Sequence, residues 1–149
     1  MHEKIKKLIK GHEGCKNEIY TDSLGILTCG VGHALLPGST VPSSVISIFF
    51  QEDLAQAERD FYGLIMKGIL PENLSDVRHA VIIDMLFNLG RPRFLTFRNF
   101  LSALGKSDWQ KAKTEMLDSK WARQVGGRAR TLAKMMGSDQ WPAEKQEDA

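Results

Sequence analysis

Apolar positions recur at helical spacing along most of the chain. Ile5, Leu8 and Ile9, with Lys4, Lys6, Lys7 and Lys10 on the other faces, predict a first helix over 3–10, and Gly11 and Gly14 bracket its end. From Pro42 to about Lys67, the spacing of Val45, Ile46, Phe49, Phe50, Leu54, Ala57, Phe61 and Leu64 describes one long amphipathic helix. Ser39 or Thr40 ahead of Pro42 marks its start, and Pro71 lies beyond its end. Ser75 is a good N-cap for Val77–Leu89, which is apolar on nearly all sides until Gly90 and so predicts a buried central helix. Shorter helices follow, with Thr96 and Ser107 as caps, Gly90 and Gly105 as stops, and Trp109, Met116, Leu117 and Trp121 as apolar anchors. Gly126-Gly127 precedes a last helix over Arg128–Met136, and the charged segment 143–149 reads as a frayed tail.

The period changes between these helices. Asn17–Thr21 and Ile26–Val31 predict two short strands, joined through Asp22-Ser23-Leu24-Gly25, with Asp first and Gly fourth as a type I turn prefers. Alternation puts Thr28, Gly30 and Gly32 on one face of the second strand, where the glycines leave room for a ligand. The patterns together predict an α+β chain, mainly α, in a single domain of 1–149. It divides into a small β-hairpin region at about 12–41, a linking helix at about 42–67 and a helical lobe at about 72–142.

At 42% hydrophobic residues, 149 residues suffice for a core without a disulfide or metal staple. Charges break every apolar run well short of the ~20 residues a membrane span needs, and the N-terminus lacks the apolar stretch of a signal peptide. With no signal sequence, Cys15 and Cys29 are expected to be reduced and packed. The net charge of +2 hides an asymmetry: residues 91–134 hold eleven Lys or Arg against three Asp or Glu. An excess of that size is either a solvated helix face or the footprint of a polyanionic partner, such as nucleic acid, an anionic membrane surface or a cell-wall polymer.

Glu13 falls near the C-terminus of the first helix, where the negative end of the macrodipole disfavours a second negative charge, a setting suited to a proton donor. Asp22 falls in a polar turn, where a carboxylate stays solvated, and Thr28 stands on the strand that follows. Glycoside hydrolysis needs such a pair, one carboxylic acid to protonate the leaving oxygen and one carboxylate to activate water or attack the sugar. Residue types alone leave open whether these are surface charges.

The order Glu13, Asp22, Thr28 and then Cys29-Gly-Val-Gly-His33 resembles the motif of the bacteriophage T4-type lysozymes, endolysins of glycoside hydrolase family 24. Likeness resumes around Asp53, in Val77-Arg-His-Ala, Met85–Gly90, Phe97-Arg-Asn and Ser119-Lys-Trp121, and at Gln124 and Gly127-Arg-Ala129. The resemblance implies a lysozyme-like fold, a small β-hairpin lobe and a helical lobe joined by a long helix. It further implies a monomeric muramidase that cuts the β-1,4 bond between N-acetylmuramic acid and N-acetylglucosamine in a peptidoglycan strand. Glu13 is then the general acid, Asp22 the base, and Thr28 a water-positioning partner, with inversion at the anomeric carbon. No metal or organic cofactor is implied. By the same analogy Gly32, Phe87, Trp121, Gln124 and Arg128 contact substrate, His33 and Asp53 form a structural ion pair, and residues 91–134 contact an anionic wall or membrane surface. Lacking a signal, such an enzyme waits in the host cytoplasm until a separate pore releases it to the cell wall. The connection after His33 is shorter than in the best-known member, and Phe100 and Glu115 stand where small polar cleft groups are expected.

Two alternatives stay open at this stage. His12, Cys15, Cys29 and His33 have a spacing that suits four zinc ligands, although an extended strand from Cys29 to His33 holds those two about 13 Å apart. A non-catalytic module binding cell wall or nucleic acid through the basic region is the other, although the intact Glu13, Asp22 and Thr28 set argues against it and no nucleic-acid partner is expected.

Overall fold

A computed structural model describes residues 2–143; the charged tail over 144–149 lies outside the described residues. The chain forms two compact units, the first ending at Ile46 and the second beginning at Ser47.

The first unit opens with α1 (His2–Glu13), which runs past Gly11 to the acid itself. Three short strands follow, β1 (Lys16–Thr21), β2 (Leu27–Gly30) and β3 (His33–Ala34), in an antiparallel sheet of order β1-β2-β3. Tyr20 pairs with Thr28 and Thr21 with Leu27, as the turn at Asp22–Gly25 requires, and an irregularity in β1 lies between Lys16 and Tyr20. The second strand is shorter than its alternation predicts. Gly30 and Gly32 adopt left-handed φ of 61° and 64°, conformations open to glycine at little cost, and the chain reverses there. Cys29 and His33 consequently face each other across β2 and β3 and are not held apart along one strand. Both cysteines are free, and Cys15 is exposed where packing was expected.

The long helix forms as one element, α2 (Ser43–Met66), which begins one residue beyond Pro42 and buries Ala57, Phe61 and Leu64. It is followed by α3 (Asp76–Leu89), α4 (Arg91–Phe94), α5 (Arg98–Gly105), α6 (Trp109–Leu117), α7 (Lys120–Val125) and α8 (Gly127–Ser138). The core of the second unit gathers Leu64, Val81, Ile82, Met85, Phe94, Leu104, Met116 and Met136, all fully shielded. Ser75 caps α3 as predicted, its hydroxyl accepting from the Arg78 amide at 3.2 Å, and α3 stops at Gly90. Only one face of α3 is buried; Phe87 and Asn88 are exposed.

Two caps fall one residue later than expected. Asp108, not Ser107, caps α6 by accepting from the Lys111 amide at 3.0 Å, while Ser107 takes a left-handed φ of 53° in place of the extended backbone typical of a cap. Thr96 turns back to donate to the Arg93 carbonyl at 2.6 Å, closing α4, and α5 starts after Phe97 with no side-chain cap.

A polar knot ties the start of α3 to the end of α8. Arg78 donates through Nε to the Met136 carbonyl at 3.0 Å and pairs through Nη1 with Asp139 Oδ2 at 3.1 Å. The Ser75 hydroxyl donates to Asp139 Oδ1, and the Arg78 guanidinium lies 4.1 Å from the centre of the Trp109 ring. Among the described residues, no helix is long and apolar enough to cross a membrane. Ile82→Ala is expected to cost about 2–5 kcal/mol through a core cavity and Ser75→Ala about 1 kcal/mol through the lost cap. Urea denaturation of both variants checks these magnitudes and their order.

Candidate active site

Glu13 is the last residue of α1, and the helix closes there because the Gly14 amide donates back to the Lys10 carbonyl at 2.9 Å. Its side chain reaches the turn between β2 and β3. A Cβ built on Gly32 would stand 2.7 Å from Glu13 Oε2 and 3.1 Å from its carboxyl carbon, so the carboxyl occupies space that any side chain at position 32 would claim.

Asp22 follows β1 and organises its own turn. Its Oδ1 accepts from the amides of Leu24 and Ile26, both at 2.8 Å, while its backbone amide donates to the Ile26 carbonyl at 2.9 Å and the Gly25 amide returns to the Asp22 carbonyl at 3.1 Å. Two amides on one oxygen fix the carboxylate's position in a way a free surface aspartate lacks.

Thr28, on the central strand β2, is 4% exposed, the one residue of the first unit to reach full burial among those described. Its hydroxyl donates to the Ile26 carbonyl at 3.0 Å, the same residue whose amide holds Asp22. The Thr28 proton is thereby committed, and its oxygen keeps lone pairs that can accept from a water or hydroxyl.

His33 lies at the start of β3 in the first unit, and Asp53 on α2 in the second. Among the described residues, no three His, Cys, Asp or Glu side chains gather so as to hold a metal ion. The strand reversal brings Cys29 and His33 opposite each other, but His12 and Cys15 do not complete a site with them.

The helical unit divides the remaining candidates between two hollows. Trp121 and Gln124 line a cavity of about 630 Å³ together with Arg93, Arg98, Glu115 and Lys120. Trp121 is itself buried, and its indole N–H donates to the Asn88 side-chain oxygen at 2.7 Å. Phe87 and Arg128 line a second hollow of about 510 Å³, more apolar, with Phe50, Leu54, Ile83 and Trp141. Arg128 is anchored there by Asp84, Nε to Oδ1 at 2.7 Å.

Two groups at or beside the first cavity have partners that sequence reasoning missed. Asn88 orients Trp121, and nothing in the sequence near it signals a partner 33 residues away. Glu115 pairs with Lys111 at 2.8 Å, a link their i,i+4 spacing on α6 could have announced. The hydrogen-bonded Lys111 ammonium holds the Glu115 carboxyl below the usual carboxylate range; partial burial opposes this, and Asn99 adds to it.

Gly32→Ala is expected to lose about 1–2 kcal/mol, the cost of a left-handed backbone for a residue with a Cβ, and to push the Glu13 carboxyl off the turn. Gly38 is also left-handed but has open space around it, so Gly38→Ala should lose comparable stability without disturbing Glu13. Denaturation reads the first effect and the Glu13 carboxyl carbon resonance the second; an unmoved resonance in Gly32→Ala contradicts the close approach. Because folding lowers the Glu115 value, the stability its pairing adds is complete above the ordinary glutamate value of 4.5 and fades as pH falls through the lowered one. Lys111→Met should move the Glu115 midpoint, followed by carbon-13 NMR, upward toward that ordinary value.

Comparison with known proteins gives this geometry a family. The sequence profile of the phage lysozymes matches residues 10–136, a span that includes Glu13, Asp22, Thr28, the whole lining of the first hollow and all of the second but Trp141. A protein named probable T4-type lysozyme 1, of Dictyostelium discoideum, is 26% identical over 154 residues, covering 87% of this chain and 91% of that protein. Its namesake, probable T4-type lysozyme 2, is 24% identical with the same coverage. The pre-baseplate central spike protein Gp5 of Enterobacteria phage T4 is 25% identical over 150 residues, covering 84% of this chain but 26% of the spike protein. Matched over most of its length, the chain belongs to the phage lysozyme family.

Proposed function

We propose that the chain is a muramidase that hydrolyses the β-1,4 bond between N-acetylmuramic acid and N-acetylglucosamine in peptidoglycan, with inversion at the anomeric carbon. The observation that carries this is the Asp22 turn, where one carboxylate is fixed by two amides through Oδ1 and the buried Thr28 hydroxyl donates to the carbonyl of the same Ile26, which leaves its oxygen able to accept. An inverting reaction asks for that arrangement, since a base and a second acceptor must together orient one water.

Glu13 donates its proton to the glycosidic oxygen as the bond to the anomeric carbon breaks and the leaving oxygen takes the electron pair. A water bound between Asp22 and Thr28 attacks the opposite face of the sugar. Oδ1 is occupied by the turn amides, so Asp22 receives the water's proton on Oδ2, and the Thr28 oxygen accepts the water's second hydrogen. Glu13 ends as carboxylate and Asp22 as acid, and exchange with solvent resets both. Gly32 is the point at which backbone, acid and sugar meet, since its missing side chain is what admits the carboxyl.

Phe87, Trp121, Gln124 and Arg128 serve as contacts along the glycan strand, and His33 with Asp53 as a structural ion pair. The basic excess of residues 91–134 supports a contact with an anionic wall or membrane. Family membership supports an endolysin that acts as a monomer, held in the host cytoplasm until it is released to the wall.

Lysis of outer-membrane-permeabilised Gram-negative cells by the chain and by Glu13→Gln tests the proposal. The variant is expected to lose about 10²-fold or more in rate, the scale of a missing general acid, and mass spectrometry of the wild-type products should find reducing-end muropeptides. Anhydro-muropeptides would reassign the reaction to a transglycosylase, and inactivity of the wild type would leave a binding module.

A further inference from the structure

Three side chains line up across the small sheet on the face that carries Thr28. Tyr20 stands opposite Thr28 on β1, and Ala34 stands opposite it on β3. Residues paired in this way point to the same face, with their Cβ atoms about 4.5–5.5 Å apart. The ladder of β1 and β2 continues to Asp22, whose amide donates to the Ile26 carbonyl at 2.9 Å. Two places beyond Tyr20 in an extended chain, Asp22 belongs to that face as well. Tyr20 is therefore the neighbour shared by the two groups that orient water in the proposed reaction.

Size decides which sheet neighbour covers the hydroxyl. Thr28 is 4% exposed in a sheet whose other residues are all exposed or half-exposed. Ala34 offers one methyl group, whereas the half-buried Tyr20 offers a whole ring. One face of that ring is held by Lys16, four residues earlier on the same strand, whose ammonium lies 4.2 Å from the ring centre. At that distance the cation is attracted by the negative π face, which restricts how the ring can turn. Lys16 is itself exposed, so its ammonium keeps its hydration while it steadies the ring.

We propose that Tyr20 is a positioning residue for the attacking water: its ring closes the β1 side of the space between Asp22 and the Thr28 oxygen, so that a single water fits there, and Lys16 steadies the ring. This rests on the muramidase reading, in which that water is the nucleophile. The ring acts by excluding other molecules and exchanges no proton itself. Tyr20 then sets which nucleophile the reaction accepts, while Asp22 and Thr28 orient it.

The test compares the wild type with Tyr20→Val, which keeps a strand-forming residue but removes the ring, and with Tyr20→Phe, which restores the ring. On purified Gram-negative sacculi Tyr20→Val is expected to lose about 10- to 100-fold in kcat, the scale of a nucleophile misplaced by an ångström, with KM unchanged. Tyr20→Phe should regain most of that rate, and Lys16→Met should lose about threefold, the scale of one exposed cation–π contact. Methanol in the buffer reads the exclusion directly. Where it enters, the anomeric carbon loses its bond to the leaving oxygen, which takes the Glu13 proton, and gains one to the methanol oxygen, whose proton passes to Asp22. Tyr20→Val should therefore release methyl glycosides, one methylene heavier than the hydrolysis products, and the wild type should release none. Equal shares of methyl glycosides from both, or a loss in Tyr20→Phe as deep as in Tyr20→Val, overturns the proposal. Solvent exchange of the Thr28 hydroxyl proton, followed by NMR, separates this from the muramidase assignment. Faster exchange in Tyr20→Val but not in Tyr20→Phe supports the covering ring even if no wall is cut, and equal exchange in all three overturns it even if the wall is cut efficiently.

Discussion

The approach of the Glu13 carboxyl to the backbone of Gly32 is the contact on which the candidate active site depends. It ties the end of α1 to the reversal between β2 and β3, and it exists only because position 32 has no side chain. Helix periodicity makes the demand sharper: each residue turns the helix by 100°, so an acid one place earlier or later on α1 would point elsewhere. The left-handed φ values at Gly30 and Gly32 serve the same end. They shorten β2, seat β3 beside it through the Cys29–His33 pairing, and present a bare stretch of backbone to the acid. A four-residue segment with two glycines therefore sets strand length, sheet order and the position of the Glu13 carboxyl together.

The two units are held by different physics. In the first, hydrogen bonds dominate: the Asp22 turn alone makes four bonds between side chain and backbone or within the backbone, and Thr28 is the one fully buried residue among those described. A small sheet of this kind gains little from burial, so its geometry is specified by direction, through bonds that fail if an atom is misplaced. In the second, a continuous apolar core of helices α2 to α8 supplies the stabilisation, and polar groups such as Arg78 and Asp139 lock helix ends to one another. Directional bonding suits groups that move protons, which must be placed to a fraction of an ångström. Close packing suits a surface that must hold a shape.

Much of the fold was legible in the sequence because its signals were local. The 3.6-residue period of Val45 through Leu64 gives α2 almost to the residue, and Ser75 with Gly90 gives both ends of α3. Asp22 and Gly25 announce the hairpin turn. Errors arose where two local signals competed. Ser107 fits a cap by residue type, but its backbone is left-handed and Asp108 caps instead; Gly30-Val31-Gly32 reads as the end of a strand, and the backbone freedom of two glycines makes it a turn. The catalytic candidates were named by motif order, yet what fixes them was not readable. Contacts such as Trp121 with Asn88, or Glu13 with Gly32, join residues 33 and 19 places apart, and no periodicity carries that information.

The charge of the helical unit shows what a structure adds to a composition. Counted along the sequence, eleven cations against three anions between residues 91 and 134 suggest attraction to any polyanion. Placed in space, three of those cations and two of those anions share one cavity. A field that merely gathers negative charge gains nothing from carboxylates in its lining, and each one there reduces the attraction. Glu115 nonetheless pairs with the Lys111 ammonium at 2.8 Å, which lowers its carboxyl pKa and leaves a negative charge among positive neighbours. Such a pattern discriminates by position of charge and not by its sum.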